Sequence, residues 1–320
     1  MIKQGAAFGL LATNTIAQGD TREAGLKQIC SKGGAVFAAI RRLEWPGPAV
    51  VIASVVHVRK GTVQFAMLDG VRVPGVNSLL FPLPVEFEPV RLKANASRSF
   101  RGCDIDGQGF LFDDDDQAAS SIADMHRLIT SNGRNQERIL PYIGGKELTT
   151  DPEHQHRRYA INFESMSLED AGKWPDLLEI IYHRVKPSRD KLTSYSVAER
   201  RRSHWWQYGT YTPALYEAIQ GLDRVLAISQ TTKYIAFGFL PTRMVYSHKL
   251  IVFPVQFGYR EFCILQSRIH EIWALLCGST MKDDPVYSTP DCFETQLSGY
   301  NSNRINCLEE SSKSFWESGG

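Results

Sequence analysis

Ten residues, AVVIASVVHV at 49–58, constrain this chain more than any other stretch. They are its most continuous β-branched run. Such a run fits a strand buried on both faces, as in the sheet of an α/β protein. Upstream, FGLLATNTIA at 8–17 opens apolar and turns polar at Thr13-Asn14, which predicts a strand whose end reaches a site or a loop. Between the two, Asp20 or Thr21 can cap a helix, with Glu23 in its first turn and Gly33-Gly34 ending it. Residues 35–40 read as a further strand. Strand, helix and two strands make the last part of a doubly wound sheet, and too little for a whole one.

Residues 61–92 are rich in Gly and Pro and read as a connector with short strands. From about residue 93 the texture becomes short and mixed, as in an α+β domain. Ser167 to Asp170 forms a capping box. Leu177, Leu178, Ile181 and Val185 make a helical stripe ending before Pro187. Thr212-Pro213 is a cap with proline at the first helical position. Residues 224–240 and 244–255 read as strands, with Pro241-Thr242 in the turn between. Residues 259–277 predict one amphipathic helix with Phe262, Leu265, Ile269, Trp273 and Leu276 on one face. The expected division is 1–64, an α/β end; 65–92, a connector; 93–297, a mixed domain; and 298–320, a polar, loose tail.

The formal net charge of +1 excludes a polybasic coat for nucleic acid, not a local basic face. No apolar run approaches the roughly 18 residues of a membrane helix. Six cysteines without CxxC spacing predict a reduced, cytoplasmic setting and no zinc site. His154-x-His156 lacks further ligands at a familiar spacing. The carboxylate run Asp113–Asp116 lacks the alternation of a calcium loop; it predicts a solvated start to a helix, facing away from any nucleic acid. Asp284-Pro285-Val286-Tyr287 lacks the second proline of an aminomethyltransferase loop. No GxGxxG, P-loop, GxSxG or HExxH occurs.

The segment from Arg184 to His204 carries seven Lys/Arg against Asp190 and Glu199, and Trp205, Trp206 and Tyr208 follow. Two readings fit. One is a phosphate-binding face with stacking aromatics. The other is a solvated charged loop packed on two core tryptophans.

Residues 9–26, GLLATNTIAQGDTREAGL, resemble a signature of fused restriction–modification DNA methyltransferases, the type IIG/IIL, MmeI-like family. Trp45-Pro46-Gly47, Leu68-Asp69-Gly70, Leu92 to Ala96, Ile139 to Ile143, Tyr159 to Phe163, Trp205 to Tyr208, Ser247-His248 and Asp291 to Thr295 follow in the family's order. The resemblance implies the last strands of a Rossmann-like class I methyltransferase sheet, then a target-recognition domain that contacts double-stranded DNA. It implies an adenine-specific enzyme using S-adenosylmethionine. The family's Gly-rich donor loop and Asn-Pro-Pro loop lie upstream of this signature. Only twelve residues precede Thr13 here, and neither motif occurs. The pattern also ends after Thr295. The expectation is a piece truncated at both ends, without catalytic residues of its own. It would be a C-terminal recognition part, a specificity module acting in trans with a separate catalytic half, or an inactive remnant.

On this resemblance the candidate phosphate contacts are Lys186, Arg189, Lys191, Arg200, Arg201 and Arg202, with Lys93, Arg98 and Arg101 as a second group. Trp205 and Trp206 are candidate stacking residues. Base readout is expected from Thr231, Thr232, Lys233, Arg243, Ser247 and His248, with Arg243 at a hairpin tip suited to guanine. The alternative is that Arg243 is a solvated turn residue and Ser247-His248 a structural hydrogen-bonded pair. Thr13 and Asn14 are candidates for the edge of a cofactor cleft.

Overall fold

A computed structural model describes residues 3–46, 51–193, 196–255, 258–281 and 284–296. Two compact units emerge. The first holds Met1–Asn95, Thr231–Ile235 and Arg268–Ser298; the second holds Ala96–Gln230 and Ala236–Ser267.

The first unit begins with β1 (Ala7–Thr13), two short helices α1 (Gly19–Ala24) and α2 (Leu26–Ser31), and strands β2 (Gly34–Glu44) and β3 (Ile52–Lys60). β4 (Ala66–Leu68) and β5 (Val71–Val73) complete a sheet of order β1-β3-β2-β4-β5. β3 is antiparallel to both β1 and β2, so β1 and β2 run the same way, with the two helices between them in sequence. Leu10, Val56 and Ala39 share one row, on the face that packs with Leu26 and Ile16. The next row, Leu11, Val55 and Ile40, lies on the opposite face, where Leu11 and Ile40 are exposed. The long β-branched run is therefore buried fully on one side only: Val56 and Val58 are inside and His57 is exposed. Residues 47–50, the start of that run and its approach, lie outside the described residues.

Neither Asp20 nor Thr21 caps the helix. Gln18 occupies the cap without a side-chain bond, and Asp20 sits in the first turn beside the free N–H groups. The next residues build a polar network. Arg22, buried, donates to Ser78 Oγ at 3.0 Å and to Glu88 Oε1 at 2.5 Å. Lys27 pairs with Glu23 and Glu88.

The second unit contains two four-stranded sheets. β6 (Phe100–Arg101) belongs to one and β7 (Leu111–Phe112) to the other. Then follow α3 (Ile122–Ser131), β8 (Ile139–Ile143), α4 (Gly145–Thr150), β9 (Arg158–Ile161), α5 (Leu168–Ala171), α6 (Pro175–Arg184), α7 (Lys186–Asp190), α8 (Ser196–Ser203) and α9 (Pro213–Ala218). The expected 224–240 strand is interrupted: β10 (Arg224–Ser229) and β11 (Gly238–Pro241) pair antiparallel across a loop. The 244–255 strand likewise divides into β12 (Val245–Tyr246) and β13 (Leu250–Pro254), which join different sheets. The sheet orders are β11-β10-β13-β6 and β12-β8-β9-β7.

Ser167 Oγ accepts the Asp170 N–H at 3.1 Å, as the capping box predicts. Leu177, Ile181 and Val185 are fully buried beside Phe110 and Trp174. Pro187 does not merely end α6; it sits in the first turn of α7, where its missing N–H is harmless. Pro213 opens α9, but Thr212 makes no side-chain cap bond.

The expected 259–277 helix is broken at Gln266–Ser267. α10 (Tyr259–Leu265) belongs to the second unit and α11 (Arg268–Cys277) to the first. α11 buries His270 and Ala274 and exposes Ile269, which the single-stripe reading placed inside. The chain ends its described course with the hairpin β14 (Ser279–Met281) and β15 (Asp284–Val286) and a π-helical turn, Thr289–Phe293. That turn meets a segment almost two hundred residues upstream. Buried Asn95 donates to the carbonyls of Phe293 and Gln296, both at 3.0 Å, and Leu92 N–H donates to Glu294 O at 2.7 Å.

Among the described residues no helix is long and apolar enough to cross a membrane. No cluster of potential metal ligands occurs there, and the five described cysteines are free thiols.

Arg22→Ala should destabilise the first unit by about 1.5–3 kcal/mol, the range for hydrogen bonds to charged groups, as read by urea unfolding. Arg22 is also the main reason Glu88 is held below its ordinary value of 4.5. A depressed carboxylate contributes stability above its unfolded pKa and loses it as pH falls through the folded one. The thermal midpoint should therefore drop below about pH 4.5, and less steeply in Arg22→Ala.

Candidate nucleic-acid interface

The second unit carries a cleft of about 500 Å³. It forms because two parallel strands stop together. β8 and β12 pair Tyr142 with Val245 and Ile143 with Tyr246. Their continuations, Gly144-Gly145-Lys146 and Ser247-His248-Lys249, form adjacent walls. A third wall is Asp104 to Gln108. It is laced to β12 by Cys103 N–H to Tyr246 O and His248 N–H to Cys103 O, both 2.8 Å. Gly102 permits that approach: a Cβ there would lie 2.3 Å from Ser247 O.

Glu147 closes the start of α4 by accepting the Gly144 N–H at 3.0 Å, and its other oxygen pairs with Arg158. The Arg158 guanidinium also lies over the Tyr142 ring, 4.8 Å from its centroid. Arg157 pairs with Asp151 at 3.7 Å. Lys146 and Lys249 are exposed and make no ion pair among the described residues. The cleft is therefore a mixed-charge floor with two uncommitted ammonium groups at its walls. His248 sits 3.5 Å from Asp104, yet burial outweighs that carboxylate and lowers its pKa below 6.5. Burial thus favours the neutral imidazole.

The basic segment 184–204 is mostly committed inward. Arg189 is 2% exposed. Its guanidinium donates to Gln207 O at 2.6 Å, to His204 O and Trp205 O at 3.3 Å, and to Ile105 O and Asp106 O at 3.3 and 3.2 Å. Burial lowers its pKa to about 10, which leaves it charged at neutral pH. Arg200 donates to Gly209 O and Arg202 to Leu192 O, both at 3.1 Å. Arg201 pairs with Asp106 at 3.0 Å and Asp104 at 3.5 Å. Lys186 pairs with Asp190. Trp206 is buried, with Nε1 donating to Met166 O, and Trp205 packs edge-on against it and Tyr182. The segment is helical rather than a solvated loop, and of the two readings only the packing on the tryptophans matches it. Arg189 and Trp206 cannot reach a phosphate or a base; Lys191 remains exposed.

Residues 105–296 match the family model of the MmeI target recognition domain. The chain belongs to the MmeI target recognition domain family. Almost the whole cleft, from Ile105 to Lys249, falls inside the matched span. No curated protein sequence matches at a significant level. Among solved structures, the Type IIL restriction–modification enzyme MmeI in complex with DNA aligns with a TM-score of 0.76 at 18% identity, over 97% of this chain and 42% of that one. The likeness is one of fold, and this chain spans less than half of that protein. The type IIG restriction endonuclease BpuSI gives a TM-score of 0.37 at 11% identity, over 97% of this chain and 42% of its own.

Of the residues singled out by sequence, Ser247 and His248 line the cleft of this MmeI-type domain, while Arg101 and Arg201 only bond to residues that line it. Arg101 Nε donates to His248 O at 2.8 Å. Ser247 is buried and its Oγ accepts the Lys249 N–H at 3.3 Å, so it shapes the turn. Arg243 is exposed on a turn tied by Thr242 Oγ1 to Leu222 O and makes no side-chain bond among the described residues. Arg98 lies in the second unit, and Lys93, Thr231, Thr232 and Lys233 in the first. Thr231 and Thr232 bind backbone of β15, and Thr232 is buried. Asn14 donates to Thr280 Oγ1 at 2.8 Å, and Thr13 and Thr15 share a hydroxyl bond. The acidic run does not face away from the cleft: Asp113 and Asp115 line it, while Asp114 accepts the Ile122 N–H that opens α3. His154 packs against Gly238. Sequence reasoning missed Lys146, Arg158 and Lys249. The GGK turn directly after an apolar strand was the available sign.

Arg189→Met should lower the unfolding free energy by on the order of 3 kcal/mol, because several buried carbonyls lose their donor. Lys191→Gln should leave the urea midpoint where it is. Equal midpoints for both variants would contradict the internal role of Arg189.

Proposed function

We propose that this chain reads DNA sequence for an adenine-specific, S-adenosylmethionine-dependent methyltransferase of the restriction–modification type. The observation that carries the reading is the match to the recognition-domain family across the cleft-forming residues. The MmeI structure of similar fold is a complex with DNA. Duplex DNA suits the cleft chemically. Lys146, Lys249 and Arg101 are exposed cations for phosphates, and the imidazole of His248, on the same cleft wall, can exchange hydrogen bonds with base edges. Arg243 remains a candidate for guanine.

The first unit fits the end of a Rossmann-like class I methyltransferase sheet. Parallel β1 and β2 flank an antiparallel β3, with helices in the crossover. β1 is an edge strand, and Leu11 and Ile40 leave one sheet face apolar and open. An open edge and face favour completion by further α/β structure, in the same polypeptide or in trans. The sequence holds neither the donor loop nor the Asn-Pro-Pro loop. Methyl transfer to a flipped adenine is therefore assigned to the complete enzyme. The soluble, cytoplasmic setting of such an enzyme follows from the same reading.

The test is selection from a pool of duplexes with a randomised core. The chain should enrich one short motif, and its affinity should fall with salt by about 0.9 log units per log unit of salt for each phosphate contact. Lys146→Gln with Lys249→Gln should remove close to two such contacts. An unenriched pool contradicts the recognition reading. Calorimetry with S-adenosylmethionine and the chain alone should give no binding heat; saturable one-to-one binding would place the donor site here.

A further inference from the structure

The loop between β10 and β11 carries a second, separate feature. Its flanking strands belong to the second unit and Thr231–Ile235 to the first. Thr231 forms an antiparallel bridge with Val286, and Thr232 N–H donates to Pro285 O at 3.1 Å. Thr232 Oγ1 donates to Tyr234 O at 2.9 Å and accepts the Tyr234 N–H at 3.4 Å, closing a tight turn. β15 pairs with β14, whose Thr280 is held by Asn14 and Gln18 of the first sheet's polar turn. The loop is thus fastened at several points.

What it displays is the contrary of what it buries. Thr232 and Ile235 are inside, while Tyr234 is 68% exposed and Lys233 stands with its ammonium 5.4 Å from the Tyr234 ring centroid. A tyrosine ring left in water on a braced turn gives up its burial energy, and its rigidity lowers the entropy lost on contact. A cation beside an aromatic face matches nucleic acid, which offers phosphate beside base planes. Resting on the DNA-recognition reading above, we infer that Tyr234 is a DNA-stacking side chain. Its ring takes a base plane exposed when the target nucleotide leaves the stack, and Lys233 takes the neighbouring phosphate.

The experiment uses the full chain and the duplex it enriches from the randomised pool. The same duplex carrying an abasic site at the methylatable adenine serves as the pre-opened probe. Tyr234→Ala should bind the abasic duplex roughly 5- to 150-fold more weakly than wild type, with an unchanged salt slope. Tyr234→Phe should bind like wild type, because the ring and not the hydroxyl makes the contact. Lys233→Gln should reduce the salt slope by about 0.9. Unfolding midpoints equal to wild type establish that the exposed substitutions leave the fold intact. Wild-type affinity in Tyr234→Ala overturns the inference while leaving recognition standing. A phenylalanine variant as weak as alanine overturns stacking in favour of a hydroxyl–phosphate contact. Failure of the wild-type chain to enrich any duplex overturns the recognition reading itself.

Discussion

A guanidinium almost without water around it organises the second unit. Arg189 reaches it from α7, and five backbone carbonyls from two distant stretches, 204–207 and 105–106, supply its hydrogen bonds. A buried charge is costly unless it is hydrogen-bonded, and here both terminal nitrogens of the guanidinium are bonded while Nε finds no partner among the described residues. The carbonyls can accept from the terminal nitrogens only if both stretches hold one position. The cation therefore fixes the Ile105–Asp106 wall of the cleft, and Arg201 reinforces it by pairing with Asp106. The cluster of positive charge that looks like a binding face is in large part scaffolding for the cleft wall.

Wall and floor then meet by strand geometry. β8 and β12 are short and parallel, and both end where the chain turns into glycine- and serine-containing segments. Placing ligand-facing residues at the ends of parallel strands is a general solution in mixed α/β structure, because the strands supply rigidity and the turns supply reach. Here the reach is given to Lys146, His248 and Lys249.

Local patterns were legible where local physics decides them. The stripe Leu177, Ile181, Val185 is buried as its period requires, and the Ser167 box caps a helix. The β-branched run is a strand, but its second face is only partly covered, with Ala53 buried, Val55 half-buried and His57 exposed. Partners far apart in sequence were not legible. Nothing local announces that Tyr142 lies beside Val245, or that Asn95 seals the turn at Phe293. The split of 259–277 reflects the same limit: apolar period shows one helix, whereas the two units claim its halves separately. Charge counting misread Arg189 because its partners are carbonyls, which every residue has and no composition reveals. Lys146 and Lys249 were overlooked since isolated lysines stand out only once folding sets them around one space.

Hydrogen–deuterium exchange of the chain, with and without the duplex it enriches, separates a DNA-binding cleft from a DNA-binding basic segment. New protection is expected at 144–147 and 247–249 on DNA binding, with the amides of 186–190 unchanged because that helix is already locked inside. Protection concentrated in 186–203, with the cleft turns exchanging as in the free chain, would contradict the DNA-binding cleft.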